Sequence, residues 1–177
     1  ETLPWFLKFI DTWFEKFGGT TAGYARQKDR AVLTDSIHKI KIAPSICYES
    51  IYGEFMSKYI NNGANLICII TNDGWWKNTP GHKQHMSYAR LRAIETRTWV
   101  ARSANTGISC FIDASGEVYQ SQGWDKAEAI KKAISLTNSK TFFVRNGDII
   151  GRSSVIITVL LFALSIFIYL KTIIQKR

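Results

Sequence analysis

Apolar positions recur at helical spacing through LPWFLKFIDTWFEKF, residues 3–17, where Leu3, Phe6, Leu7, Ile10, Trp13, Phe14 and Phe17 are separated by Lys8, Asp11, Glu15 and Lys16. That period predicts an amphipathic helix, which either packs on a core or lies in a membrane interface. Gly18 and Gly19 end it. After a polar stretch to Arg30, AVLTD (31–35) and HKIKIAPSI (38–46) read as strands around a short turn at Asp35 and Ser36. Residues 51–62 suit a helix closed by Gly63. NLICIIT (65–71) is a short, continuously apolar run, the pattern of a strand covered on both faces.

The turn-rich segment NDGWWKNTPGHKQH predicts a loop running into a helix from about His82 to Arg97, and TWVARSA (98–104) predicts a strand. NTG (105–107) is a tight turn into ISCFIDASGEVYQ, a hairpin turning at Ala114–Gly116. Residues 125–136 are open between helix and edge strand. Strands alternating with helices and then a closing hairpin imply an α/β or α+β class with a largely buried sheet.

The longest apolar run is SSVIITVLLFALSIFIYL, residues 153–170, uncharged and bounded by Arg152 and Lys171. Eighteen helical residues rise about 27 Å, close to the thickness of a hydrocarbon core. Apolar residues on every face favour a membrane span over a buried core helix. Lys171, Lys176 and Arg177 follow it, against Arg145 and Arg152 before it. The positive-inside bias then puts the C-terminus in the cytoplasm and residues 1–150 on the extracytoplasmic side. Two parts are thus expected, a domain over 1–150 and a span with a short basic tail over 151–177.

With 177 residues, 46% of them hydrophobic, the chain can build one real core. It opens on ETLPWF without an initiator Met, and is expected to be a fragment of a longer protein. The net charge of +9 is scattered and no nucleic-acid motif accompanies it. An anionic membrane surface is the better partner, and no nucleic acid is expected. Cys47, Cys68 and Cys110 lack metal-ligand spacing, and their odd number leaves at least one free thiol. No metal or cofactor is expected.

Cys47 closes an apolar strand and precedes Tyr48, Glu49 and a helix. A strand-to-helix turn exposes a nucleophile and aims backbone N–H groups at a developing oxyanion. Buried structural cysteines are common, however, and on local pattern alone packing is the stronger reading of Cys47. Cys68 and Cys110, inside apolar strands, read as inert core residues. His38, His82 and His85 carry no local signature pairing any of them with Cys47.

The ordered set ICYES, GANLICIITNDGWW, GHKQHMSYARLRAIETRTWVARSANTGIS and DASGEV resembles the nitrilase superfamily, also called carbon-nitrogen hydrolases, and within it the membrane branch of apolipoprotein N-acyltransferases. The resemblance runs from about residue 40 to 120. It implies one incomplete half of an α-β-β-α sandwich followed by a C-terminal transmembrane helix. It also implies a Glu-Lys-Cys triad in which Cys47 is the nucleophile, Tyr48 gives a backbone oxyanion donor and Glu49 supports the site. Trp75 would stand beside the pocket and meet an acyl chain, and Glu1, which resembles a glutamate that closes a segment before the nucleophile, would be a second substrate-binding residue. The triad Glu and Lys would precede residue 1; neither Glu15 nor Lys8 is assigned to them.

The implied reaction is ping-pong: Cys47 takes an acyl chain from a phospholipid, expected to be phosphatidylethanolamine, as a thioester. The free amine of an apolipoprotein's diacylglyceryl-cysteine then takes it as an amide. The implied setting is a bacterial inner membrane, multi-pass in the full-length protein, with the catalytic domain periplasmic. Two alternatives stay open, a soluble-type amidase using the same cysteine and an inactive membrane-anchored fragment.

Overall fold

The computed structural model describes residues 29–175. The expected helix over 3–17 and Glu1 lie outside the described residues. Six strands form one mixed sheet in sequential order: β1 Leu33–Asp35, β2 Ile40–Ile46, β3 Leu66–Thr71, β4 Val100–Ala104, β5 Cys110–Ile112 and β6 Val118–Tyr119. β2, β3 and β4 run parallel, while β1, β5 and β6 extend the sheet antiparallel at its two sides. Parallel neighbours need long crossovers. α1 (Gly53–Asn61) and α2 (Pro80–Thr96) supply them.

Strand alternation decides what each face does. Ala43, Ser45, Ile67, Ile69, Thr71, Val100 and Arg102 are buried, and the register sets Ala43 beside Ile67 and Ile67 beside Val100. With Met56, Tyr59 and Ile60 of α1 and Ala89 and Ala93 of α2 they make the core. The opposite face carries Ile46 and Ile70, both well exposed, and Cys68, half-buried. In an α-β-β-α sandwich that face is where a second sheet packs, so the described residues form one α-β half.

Pro44 sits in β2 without costing a ladder bond. The Lys41 carbonyl accepts from Asn65 N at 2.8 Å, so residues 41, 43 and 45 address β3 and Pro44 turns the other way. β1 pairs only as far as Ile42, so among the described residues no strand partner stands there.

Gly63 ends α1 as expected, at φ +94°, with Gly63 N donating to Ile60 O and Ala64 N to Tyr59 O, a Schellman closure. The first helical residues differ from expectation. Cys47–Ile51 form a 3-10 turn, and the α-helix starts only at Gly53. α2 starts at Pro80, two residues before the expected His82, because Thr79 caps Gly81 N and Pro80 suits the first turn. The hairpin is held by Asp113, whose carboxylate accepts from Ser115 N, Ser115 Oγ, Glu117 N and Tyr119 OH. Residues 126–141 hold neither the helix nor the edge strand left open by the sequence; they run without regular structure.

After α3 (Phe142–Asn146) comes α4, Ile149–Gln175, with no buried residue and a mean hydropathy of 2.5 over its most apolar window. Among the described residues it is the one helix long and apolar enough to cross a membrane.

Candidate active site

Cys47 stands where β2 stops, half-buried, with φ +52°. The left-handed region costs a non-glycine residue roughly 1–3 kcal/mol, and persists where the surroundings over-determine it. Here the turn is tied from above and below. Ser50 Oγ donates to Cys47 O at 2.8 Å, and Ile46 N donates to Glu49 Oε2 at 2.7 Å. Beneath, His85 Nε2 lies 3.3 Å from both Cys47 O and Ser50 Oγ.

His85 belongs to a buried chain of charges. Its Nδ1 meets Asp73 Oδ1 at 2.9 Å, and Asp73 Oδ2 takes Arg102 Nη2 at 2.7 Å. All three side chains are 2% exposed or less. Thr71 Oγ1 donates to Asp73 Oδ1, and Asp73 N donates to Thr106 O. Arg102 Nη1 also donates to Ile108 O. Burial pushes the Asp73 carboxyl up, but the bonds from His85, Arg102 and Thr71 outweigh it and hold it below the usual carboxylate range. An ionised Asp73 fixes Nδ1 as a donor.

The three elements that meet here do so for local reasons. β3 delivers Asp73 through Asn72, whose side chain accepts from Gly74 N and starts the Asp73–Trp76 turn. α2 brings His85 inward on the stripe of His82, His85, Ala89, Arg92, Ala93 and Thr96. β4 carries Arg102 on its core-facing side, level with Ile69. Gly107, at φ +134°, lets the following loop close over Asp73, since a Cβ there would fall 2.4 Å from Asp73 Oδ2.

Tyr48 leaves its ring half-exposed and stacks on His85 at 5.5 Å between centroids, with Trp76 5.6 Å away. Tyr48, Ile51, Trp76, Gly81, Gln84, His85 and Tyr88 line a hollow of about 230 Å³. Trp75 is 86% exposed, and its neighbour Trp76 lines the hollow. Cys110 is fully buried, and burial pushes its thiol up to about 11. Cys68 is half-buried rather than a core residue, and burial raises its thiol as well. All three cysteines are free thiols.

The carbon-nitrogen hydrolase profile matches residues 9–142, most of the chain. The chain belongs to the carbon-nitrogen hydrolase family. The apolipoprotein N-acyltransferase of Chlorobaculum tepidum is 31% identical over 144 residues, 78% of this chain and 27% of that protein. The protein of the same name from Allorhizobium ampelinum is 43% identical over 97 residues, 55% of this chain and 18% of that protein. The chain therefore spans about a quarter or less of the length of these relatives. In fold it is similar to the carbon-nitrogen hydrolase from Helicobacter pylori G27, with a TM-score of 0.52 at 15% identity over 59% of this chain and 43% of that one.

In this carbon-nitrogen hydrolase chain, the expected residues Cys47, Tyr48 and Glu49 share one turn, while Trp75 stands on the neighbouring one. Asp73, His85 and Arg102 were not singled out by the sequence. Asp73 and His85 lay inside the quoted motifs, but a histidine on a helix and an aspartate after a strand do not announce that they meet. Among the described residues no group of His, Cys, Asp and Glu could hold a metal ion.

Proposed function

We propose that the chain carries the nucleophile of an apolipoprotein N-acyltransferase, and that Cys47 accepts an acyl chain from a phospholipid. The observation that carries this reading is Cys47 itself, held at φ +52° at a strand end over the buried Asp73–His85 pair, in a chain whose relatives bear that name. The Cys47 thiol gives its proton to a base and its sulfur attacks the ester carbonyl. The Tyr48 backbone N–H stabilises the tetrahedral oxyanion, and collapse expels the lysophospholipid alkoxide, which takes up a proton. The α-amine of an apolipoprotein's lipidated cysteine attacks the thioester, forms the amide and returns the thiol.

Glu49 supports the turn through Ile46 N, the hollow walled by Tyr48 and Trp76 receives the acyl chain, and the exposed Trp75 meets that chain from the neighbouring turn. The reading also calls for a glutamate base and a lysine as cationic oxyanion partner, the two further members of the triad that the resemblance implies. α4 then spans a bacterial inner membrane, with the domain of residues 1–150 periplasmic and the C-terminus cytoplasmic.

The test is a labelled phospholipid given to the full-length protein. A hydroxylamine-sensitive acyl adduct should form and vanish in Cys47→Ala. An adduct that survives the substitution sinks the assignment. Adduct decay in buffer as fast as with a lipoprotein amine would establish an amidase-type hydrolase instead.

A further inference from the structure

Cys47 and Tyr48 are joined by a trans peptide, a planar unit whose C=O and N–H point in opposite directions. Whatever holds the oxygen of that peptide therefore aims its hydrogen. The Cys47 oxygen is held from beneath by two buried residues, with Ser50 Oγ at 2.8 Å and His85 Nε2 at 3.3 Å. The Tyr48 N–H is thus turned away from the core, toward the side on which the Cys47 turn is open.

Counting hydrogens shows how His85 takes part. Two oxygens 2.8 Å apart need a hydrogen between them, and a carbonyl has none to give, so the Ser50 hydroxyl spends its own on Cys47 O. Both oxygens near Nε2, Cys47 O and Ser50 Oγ, then face it as acceptors. On the far side of the ring Nδ1 faces Asp73 Oδ1 at 2.9 Å. Arg102 Nη2 stands 3.3 Å from Nδ1, but has its own acceptor in Asp73 Oδ2 at 2.7 Å. A ring with a hydrogen on each nitrogen satisfies all of these oxygens. Asp73 meets its charge on one edge, and aromatic rings meet it at the sides: Tyr48 stacks at 5.5 Å and 23°, and Trp76 lies at 5.4 Å and 61°.

We propose that His85 is a positioning residue for the oxyanion: it donates from Nε2 to the Cys47 carbonyl, carries the Tyr48 ring, and so aims the Tyr48 N–H at the reacting carbonyl oxygen. His85 grips the peptide on both sides, at the carbonyl of one residue and at the ring of the next. Polarisation acts in the same direction, because a carbonyl oxygen bearing two donors makes the N–H of its own peptide a stronger donor. Asp73 and Arg102 then serve the reaction at one remove, by fixing the ring that fixes the peptide. The role rests on the reading of Cys47 as nucleophile and deepens it, and it holds for any ester or thioester carbonyl that Cys47 attacks.

The experiment compares two reactions of Cys47 in the full-length protein, acylation by p-nitrophenyl butyrate and alkylation by iodoacetamide, each read at the Cys47 peptide by mass spectrometry. With the ester, sulfur bonds to the carbonyl carbon, the carbonyl electron pair moves onto oxygen, and collapse expels nitrophenolate. With iodoacetamide the same sulfur displaces iodide from a saturated carbon, and no oxyanion forms. His85→Met should slow acylation at saturating ester about a hundredfold, the scale of one lost oxyanion donor, and leave alkylation unchanged. His85→Gln, of the same length but with an N–H for Cys47 O, should recover about tenfold of that loss. Ser50→Ala should slow acylation about tenfold and likewise spare alkylation. If His85→Met loses its melting transition, Ser50→Ala decides by the same two rates. Acylation unchanged in these variants overturns the role, as does an equal fall of both reactions, or a folded His85→Gln no faster than His85→Met. The expected pattern with the ester, but no adduct from phospholipid, sinks the lipid-transfer reading alone. A phospholipid adduct formed as fast by His85→Met and Ser50→Ala as by the unaltered protein sinks the positioning role alone.

Discussion

Asp73 is the residue on which the site's geometry turns. It is fully buried, bonded to His85 on one oxygen and to Arg102 on the other, and both partners are buried with it. Removing one member of such a set leaves an uncompensated charge, which typically costs about 3–5 kcal/mol. Asp73→Asn should therefore lower the unfolding free energy measured in urea by that order, while Thr71→Val, which removes one neutral donor, should cost about 1 kcal/mol. The pH dependence follows from the depressed carboxyl. Its ordinary value is 3.8 and its folded value lies below, so its contribution is complete above pH 3.8 and is lost as pH falls through the folded value. Asp73→Asn should flatten that part of the acid limb of a stability-versus-pH curve. An acid limb identical in shape to the unaltered protein's would show that Asp73 is not the group titrating.

At the scale of elements, the order of strands and helices was legible because each keeps its period. β3 is a continuous apolar run, and the hairpin announces itself through Asp113 and Gly116. The site was less legible, because α2 buries a stripe that is largely polar. His82, His85, Arg92 and Thr96 face inward beside Ala89 and Ala93. A search for apolar positions at helical spacing passes over such a helix, and its buried face shows only once β3 and β4 supply the partners. The first turn of α2 sets the hollow in the same way. Gly81 lies against Trp76, and a Cβ there would fall 2.6 Å from Trp76 Cγ. Gly81→Ala should push Trp76 from its place against Tyr48 and His85 at a cost of about 1–3 kcal/mol, the usual toll of overpacking. Transfer to Cys47 should slow in that variant. An unaltered acylation rate in Gly81→Ala would remove Trp76 from the wall of the acyl pocket.

For the whole molecule, the question is what surrounds α4. It extends about 40 Å at 1.5 Å per residue, carries apolar residues on all sides and has none buried, so its stability does not come from the domain. Helical backbone satisfies itself in hydrocarbon, and an all-apolar surface is then matched to lipid. A helix covered by protein along one side would respond to charge according to the side on which it lands. A helix in a bilayer responds according to depth, because a lysine near the end reaches the headgroups and one at the centre does not. Leu161 lies at the middle of the uncharged run and Ser154 at its start. Leu161→Lys should oppose insertion by about 2.5–3.5 kcal/mol, whereas Ser154→Lys should be nearly neutral. Moving the lysine around the helix at constant depth, to Leu160 or Phe162, should reproduce the Leu161 result. The measurement is the fraction of chain inserted into microsomal membranes, read by glycosylation of an acceptor site placed on either side. A response that follows the helical face instead of the depth would put protein, not lipid, against α4.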